Sequence, residues 1–211
     1  MTTVVIAGTG TGVGKTWVTA ELAVALRQRG IAVVARKPVQ SFAPGDDART
    51  DAKILGEATV EDPHVVCLPH RWLPRAMAPP IAAAVLDAEP FTVADLVAEV
   101  TSNTPLGAIV LVESVGGVRS PIAIDGDTVT LVAELRPSLV VLVADAELGT
   151  INLVRLSHDV LLAHRVVVYL NRYDTDDEMH VRNHDWLTTH LGLEVVADPE
   201  ALEEVVAALK G

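Results

Sequence analysis

The densest chemistry in the chain lies in Gly8-Thr-Gly-Thr-Gly-Val-Gly-Lys-Thr16. An apolar, β-branched run, Thr3-Val-Val-Ile-Ala7, precedes it, and a helical pattern from Trp17 to Leu26 follows. Strand, glycine-rich loop, Lys-Thr and helix together describe a phosphate-binding loop. Backbone N–H groups of Gly12, Val13 and Gly14 can turn inward around phosphate oxygens, and the helix start adds its positive dipole end. Lys15 would reach β- and γ-phosphates, and the Thr16 hydroxyl would ligate Mg²⁺. The strict pattern asks for glycine five residues before Gly14, where this chain has Thr9. The nearest glycine is Gly8, one position early.

Three further polar residues end apolar runs. Ile31-Ala-Val-Val-Ala35 leads to Arg36-Lys37-Pro38, Ala108-Ile-Val-Leu-Val ends at Glu113, and Val166-Val-Val-Tyr-Leu170 ends at Asn171. In a parallel sheet these ends share one edge, the edge at which open α/β sheets bind ligands. Lys37 would place a second cation beside the phosphates. Glu113 stands where phosphate-loop proteins carry a carboxylate for the metal ion or its water. Asn171 can offer both a donor and an acceptor to an adenine edge.

The elements that must position these residues follow from periodicity. Val18, Leu22, Ala23 and Leu26 form an apolar stripe on a helix over 16–27, with Gly30 as its C-terminal stop. Short continuous apolar runs at 3–7, 31–35, 108–113, 139–144 and 166–170 predict strands buried on both faces. Helices are expected near 51–57, 80–86, 92–101, 128–135, 153–162, 181–191 and 200–210, with a short strand at 194–197. Thr92-Val-Ala-Asp95 reads as a capping box with Asp in place of Glu. Residues 40–51 read as a polar loop, 62–80 as irregular and proline-rich, and 114–126 and 145–152 as loops. The alternation predicts an α/β fold of the P-loop NTPase type: a doubly wound, mostly parallel sheet flanked by helices, with residues 1–211 as a single domain.

With 211 residues, 50% hydrophobic, the chain can bury a large core. A net charge of −12 argues against a general nucleic-acid or acidic-membrane surface, so an anionic nucleotide must be attracted locally. Cys67 is the only cysteine, leaving no disulfide framework, and reads as a buried thiol. No secretory signal pattern opens the sequence and no apolar run is long enough to span a bilayer, so the expected setting is cytoplasmic. His180 and His184 have the i, i+4 spacing of a metal pair but no evident third ligand. Trp17, Trp72 and Trp186 read as packing residues. Asp174, Asp176, Asp177 and Glu178 read as a solvated acidic loop.

Taken together, these motifs resemble the dethiobiotin synthetase family, a relative of the partition and cobyrinate-type ATPases. The resemblance spans residues 3–171 and rests on the 8–16 loop, Lys37-Pro-Val-Gln-Ser41, Thr50-Asp51-Ala52, Val112-Glu-Ser-Val-Gly-Gly117, Leu148-Gly-Thr-Ile-Asn152 and Asn171. The family shares the displaced glycine of the loop. It implies that ATP, with Mg²⁺, drives carboxylation of 7,8-diaminononanoate by CO₂ and ring closure through a carbamate and a carbamic-phosphoric anhydride. It also implies roles for residues. Lys15, Lys37, Thr11 and Ser41 would act on the carbamate and transferred phosphoryl group. Thr16, Asp51 and Glu113 would hold Mg²⁺. Gly149, Thr150 and Asn152, with Ser41, would bind the substrate across a homodimer interface. The chain departs from the family at Ser114, Val115 and Arg119, at Phe42, and in its short Glu194-Val-Val-Ala-Asp-Pro-Glu200 segment. Two other readings therefore stay open: a relative carboxylating another amine, and a nucleotide switch acting on a protein partner.

Overall fold

The computed structural model describes residues 2–102 and 104–210. The chain runs β1 (Thr2–Gly8), α1 (Lys15–Gln28), β2 (Val33–Arg36), β3 (Gln40–Ser41), α2 (Asp51–Thr59), α3 (Pro63–Val66), β4 (Trp72–Leu73), α4 (Pro79–Val85), α5 (Val93–Ser102), β5 (Ile109–Glu113), β6 (Pro121–Ala123), β7 (Gly126–Asp127), α6 (Thr128–Leu135), β8 (Leu139–Asp145), α7 (Thr150–Asp159), β9 (Val166–Asn171), α8 (Glu178–Asp185), β10 (Val195–Val196) and α9 (Pro199–Ala207). Six strands form one sheet in the order β10-β9-β8-β1-β5-β2, and every pair is parallel.

The strand signal is physical. Along β1, Val4 and Ile6 enter the core on one face, where α1 and α9 pack, and Val5 and Ala7 enter the core on the other. A strand covered on both faces needs apolar residues at every position, which is why β1, β5, β8 and β9 read as unbroken runs. The stripe Val18, Leu22, Ala23 and Leu26 of α1 is buried in the first of these cores.

Register places the ends of the strands together. Ile6 pairs with Glu113, Val112 with Arg36, Gly8 with Val143, and Asp145 with Asn171. The phosphate loop thus leaves β1 at the centre of the sheet, flanked by the ends of β5 and β8. This is the crevice where strand order reverses.

Several segments differ from expectation. Residues 62–80 contain α3, capped by Asp62 Oδ1 accepting from the His64 N–H at 2.8 Å, and β4, which pairs with β3. The 114–126 loop contains the β6–β7 hairpin. Helix α7 begins at Thr150 rather than Leu153, behind Gly149 in a left-handed conformation (φ 97°). Helix α8 spans 178–185 and continues as a π-helical turn over Trp186–His190. The Thr92–Asp95 capping box is present, with Asp95 Oδ2 accepting from the Thr92 N–H at 2.8 Å and Thr92 Oγ1 from the Asp95 N–H at 3.2 Å.

Candidate active site

The phosphate loop closes on its own lysine. Lys15 Nζ donates to Gly10 O at 2.9 Å and to Gly116 O at 2.8 Å. Its stem lies over Gly8, where a Cβ would come within 3.0 Å of both Lys15 Cδ and Nζ. Glycine at the end of β1 thus leaves room for the lysine to fold back. Gly14 has φ 95°, and a Cβ there would lie 2.0 Å from Asn171 Nδ2. Gly116 and Gly117, read from sequence as loop residues that close the Val112–Gly117 motif, supply the second acceptor for Lys15 and a close approach to Thr9 O.

A buried charge cluster sits beside the loop. Lys37, held at its own N–H by Val66 O at 2.7 Å, extends Nζ to Asp51 Oδ2 at 2.7 Å, Glu113 Oε1 at 2.7 Å and Ser114 O at 3.1 Å. Burial alone would push the Lys37 ammonium down, but Asp51 and Glu113 outweigh it and hold the group above the ordinary lysine value. Lys37 in turn holds the Asp51 carboxyl below its usual range, aided by hydrogen bonds from Lys37 and Thr16. Burial, then the neighbouring Lys37, lower Lys15 to about 8 against the opposite pull of Glu113 and Asp51. Asp51 opens α2, and Gln40 Oε1 accepts the Ala52 N–H at 3.0 Å, so β3 fixes the helix that carries the carboxylate.

Thr16, Asp51 and Glu113 fit a hard divalent ion. Thr16 Oγ1 lies 2.9 Å from Asp51 Oδ1 and 2.9 Å from Glu113 Oε1. One hydroxyl hydrogen cannot serve both carboxylates, and Glu113 Oε2 is buried with no hydrogen-bond partner. A hydroxyl and two carboxylates brought together are hard oxygen donors that would hold Mg²⁺ along with water and phosphate oxygens.

Two clefts, each about 590 Å³, meet at Gly14 and Trp17. The first is lined by Thr11, Gly12, Lys15, Thr16, Lys37, Ser41, Asp51, Glu113, Val115, Gly116 and Ser120, with Ala76–Pro79 along its rim. It gathers all four residues expected to act on the transferred group and the three expected at the metal. The second is lined by Tyr169, Asn171, Arg172, Tyr173, Ala197 and Pro199. Asn171 borders it, but its Nδ2 donates to Val13 O at 2.9 Å. Tertiary packing thus commits one N–H of the amide to the loop, and the second N–H and the carbonyl oxygen remain as a donor and an acceptor. Arg172, which sequence reasoning missed, adopts φ 57°, donates to Gly12 O at 3.0 Å and pairs with Asp145.

The sequence matches known proteins along most of its length. Residues 2–208 match the AAA_26 family, described as an AAA domain. The chain is 36% identical to the ATP-dependent dethiobiotin synthetase BioD of Mycobacteroides abscessus over 168 residues, covering 79% of this chain and 70% of that protein. It is 37% identical to the BioD of Haloferax mediterranei over 174 residues, covering 80% and 71%. The chain belongs to the dethiobiotin synthetase family. Solved structures carry the same fold: cobyrinic acid a,c-diamide synthase from Mycobacterium smegmatis superposes with a TM-score of 0.59 at 16% identity, covering 99% of this chain and 94% of that one. MinD from Pyrococcus horikoshii superposes with a TM-score of 0.52 at 19% identity, covering 99% and 86%.

Within that family frame, the departures sort by position. Val115 lines the first cleft, and Ser114 is buried behind it with its hydroxyl unpartnered. Arg119 is exposed and pairs with Asp127 at 3.0 Å, outside the cleft lining. Gly149, Thr150 and Asn152 lie outside both clefts of their own chain. Asn152 is exposed, in company with Leu148, Leu153 and Leu156. His180 Nδ1 accepts from the Asp174 N–H at 3.1 Å, a turn-holding role. Trp17, expected to pack, is 49% exposed.

Proposed function

We propose that this chain is an ATP-dependent dethiobiotin synthetase, closing the ureido ring of dethiobiotin from 7,8-diaminononanoate and CO₂ with release of ADP and phosphate. The observation that carries the proposal is the placement of Lys37 between Asp51 and Glu113, beside Lys15 and Thr16, in a cleft that continues past Ser41 and Val115. A nucleotide-only site has no need of a second buried lysine there.

In the reaction, one amine adds to CO₂ and loses a proton, giving a carbamate. A carbamate oxygen attacks the γ-phosphorus, the bond to ADP breaks, and a carbamic-phosphoric anhydride forms. The second amine attacks its carbonyl carbon, phosphate leaves, and the ring closes with loss of a proton. Carbamate and triphosphate concentrate negative charge in one place. Lys15 and Lys37 neutralise it from two sides, and fixed cations of this kind are worth most where charge develops in the transition state. Thr16, Asp51 and Glu113 would hold Mg²⁺, which supplies further neutralisation of phosphoryl oxygens. Thr11 and Ser41, both on the cleft wall, hydrogen-bond the carbamate or transferred group.

The distal carboxylate of the substrate binds at Gly149, Thr150 and Asn152 of a second subunit, where the start of α7 presents its positive dipole end. The exposed Leu148, Leu153 and Leu156 around this point support a homodimer. Single-domain organisation is supported by the two cores that face each other across one sheet. Among the described residues no helix is long and apolar enough to cross a membrane, and we place the protein in the cytoplasm.

Val115 favours one second reading, a related amine as substrate, because it narrows the cleft wall. Incubation with diaminononanoate, bicarbonate and MgATP, followed by mass analysis, separates the two. Dethiobiotin is expected. Its absence, with ATP turnover stimulated by a different amine, supports the second.

A further inference from the structure

Trp17 is unusually placed for a tryptophan. It is the third residue of α1, next to Thr16, and half exposed. It lines both clefts, and only Gly14 shares that position. A nucleotide with its phosphates on residues 12–16 and its base in the second cleft would lie beside Gly14 and Trp17, which the two clefts share.

The polar side chains of the second cleft are partly engaged with the phosphate loop. One N–H of the Asn171 amide is committed to Val13 O at 2.9 Å, which leaves the other N–H and the oxygen for a base edge. The Arg172 guanidinium spends one N–H on Gly12 O at 3.0 Å and another on Asp145. The remaining side-chain walls, Tyr169, Tyr173, Ala197 and Pro199 with Trp17, present mainly aromatic or apolar surface. Such a slot holds a flat, weakly hydrated ring, and an indole face is the strongest stacking partner available in it.

We propose that Trp17 is the aromatic shelf against which the nucleobase lies, and that it supplies nucleoside affinity by stacking. The proposal deepens the ATP-dependent reading above and rests on it. Every base has a π-face, so a shelf of this kind discriminates weakly between purines. The other tryptophans are placed elsewhere. Trp72 Nε1 donates to Cys67 O at 2.8 Å, and Trp186 lies against His190 with ring centroids 4.3 Å apart. Neither lines a cleft around the phosphate loop.

The test compares MgADP with magnesium tripolyphosphate on the whole protein and on Trp17→Ala and Trp17→Phe, by calorimetry and tryptophan fluorescence. Trp17→Ala is expected to weaken MgADP about 5- to 150-fold, the range of one base–aromatic stack, and to leave tripolyphosphate binding unchanged. That retained binding also reports an intact fold. Trp17→Phe should keep most of the affinity and lose the ADP-dependent fluorescence change. Equal MgADP affinity in Trp17→Ala and the native protein overturns the shelf. So does an equal loss for both ligands, which would mean that Trp17 acts through the loop. Failure of the native protein to bind MgADP at all overturns the ATP-dependent reading itself.

Discussion

At the residue scale, Lys37 and Lys15 have different protonation behaviour because of what faces them. Lys37 touches two carboxylates and stays charged across the working range. Lys37→Ala is expected to leave MgATP binding nearly intact and to lower the rate of product formation about 10²–10³-fold, the cost of losing one preorganised donor. Steady-state kinetics alongside calorimetric ATP binding checks both halves. Lys15 has no carboxylate in contact and falls to about 8 in the free protein. Anionic phosphates favour its charged form and so raise its pKa in the complex. Nucleotide affinity should therefore be flat below pH 8 and fall as pH rises above it, by at most about tenfold per pH unit. Binding above pH 8 should take up a proton, measurable by calorimetry in buffers of different ionisation enthalpy. Lys15 and Lys37 were both legible in the sequence, because each ends or follows a glycine- or apolar-marked element. That one Asn171 N–H is spent on Val13 O was not legible. Which end of an amide faces a loop 158 residues away is decided only when β9 and the loop pack.

At the scale of elements, the site depends on how the loop leaves β1 and how α2 begins. Gly14 sits at φ 95° against the Asn171 amide, so Gly14→Ala meets both left-handed strain and a 2.0 Å clash. Strain of this kind costs about 1–3 kcal/mol. The variant should unfold at lower denaturant concentration, read by circular dichroism, and lose nucleotide binding. Strands β1, β5, β8 and β9 were legible as unbroken apolar runs because both of their faces are covered. The start of α7 was missed because it is set by a left-handed glycine, whereas Leu153 is only its first large apolar residue. The short pieces between β2 and α4 were missed for a related reason. The β3–β4 pair has two residues on each side and little intrinsic preference, and tertiary contact with the lysine and Asp51 segments holds it in place.

At the scale of the molecule, a chain with a net charge of −12 concentrates cations where an anion must bind. Lys15 and Lys37 lie at the C-terminal edge of the sheet, and Arg172 braces the loop from the other side. Residues 149–152, proposed to bind the substrate, lie outside both clefts of their own chain, in keeping with the proposed site shared between two subunits. Leu156→Glu, on the exposed face of α7, should produce a monomer by analytical ultracentrifugation that still binds MgADP but makes no product. A dimer with unchanged turnover would remove α7 from the interface.

The most direct test of the central claim follows oxygen. If the cleft transfers the γ-phosphoryl group to a carbamate, one carbamate oxygen leaves with the phosphate. Bicarbonate labelled with ¹⁸O, supplied with diaminononanoate and MgATP in unlabelled water, should yield inorganic phosphate carrying one ¹⁸O atom for each dethiobiotin formed. Unlabelled phosphate under the same conditions would mean that water, and not a carbamate, accepts the phosphoryl group, and would contradict the roles assigned to Lys37, Thr11 and Ser41.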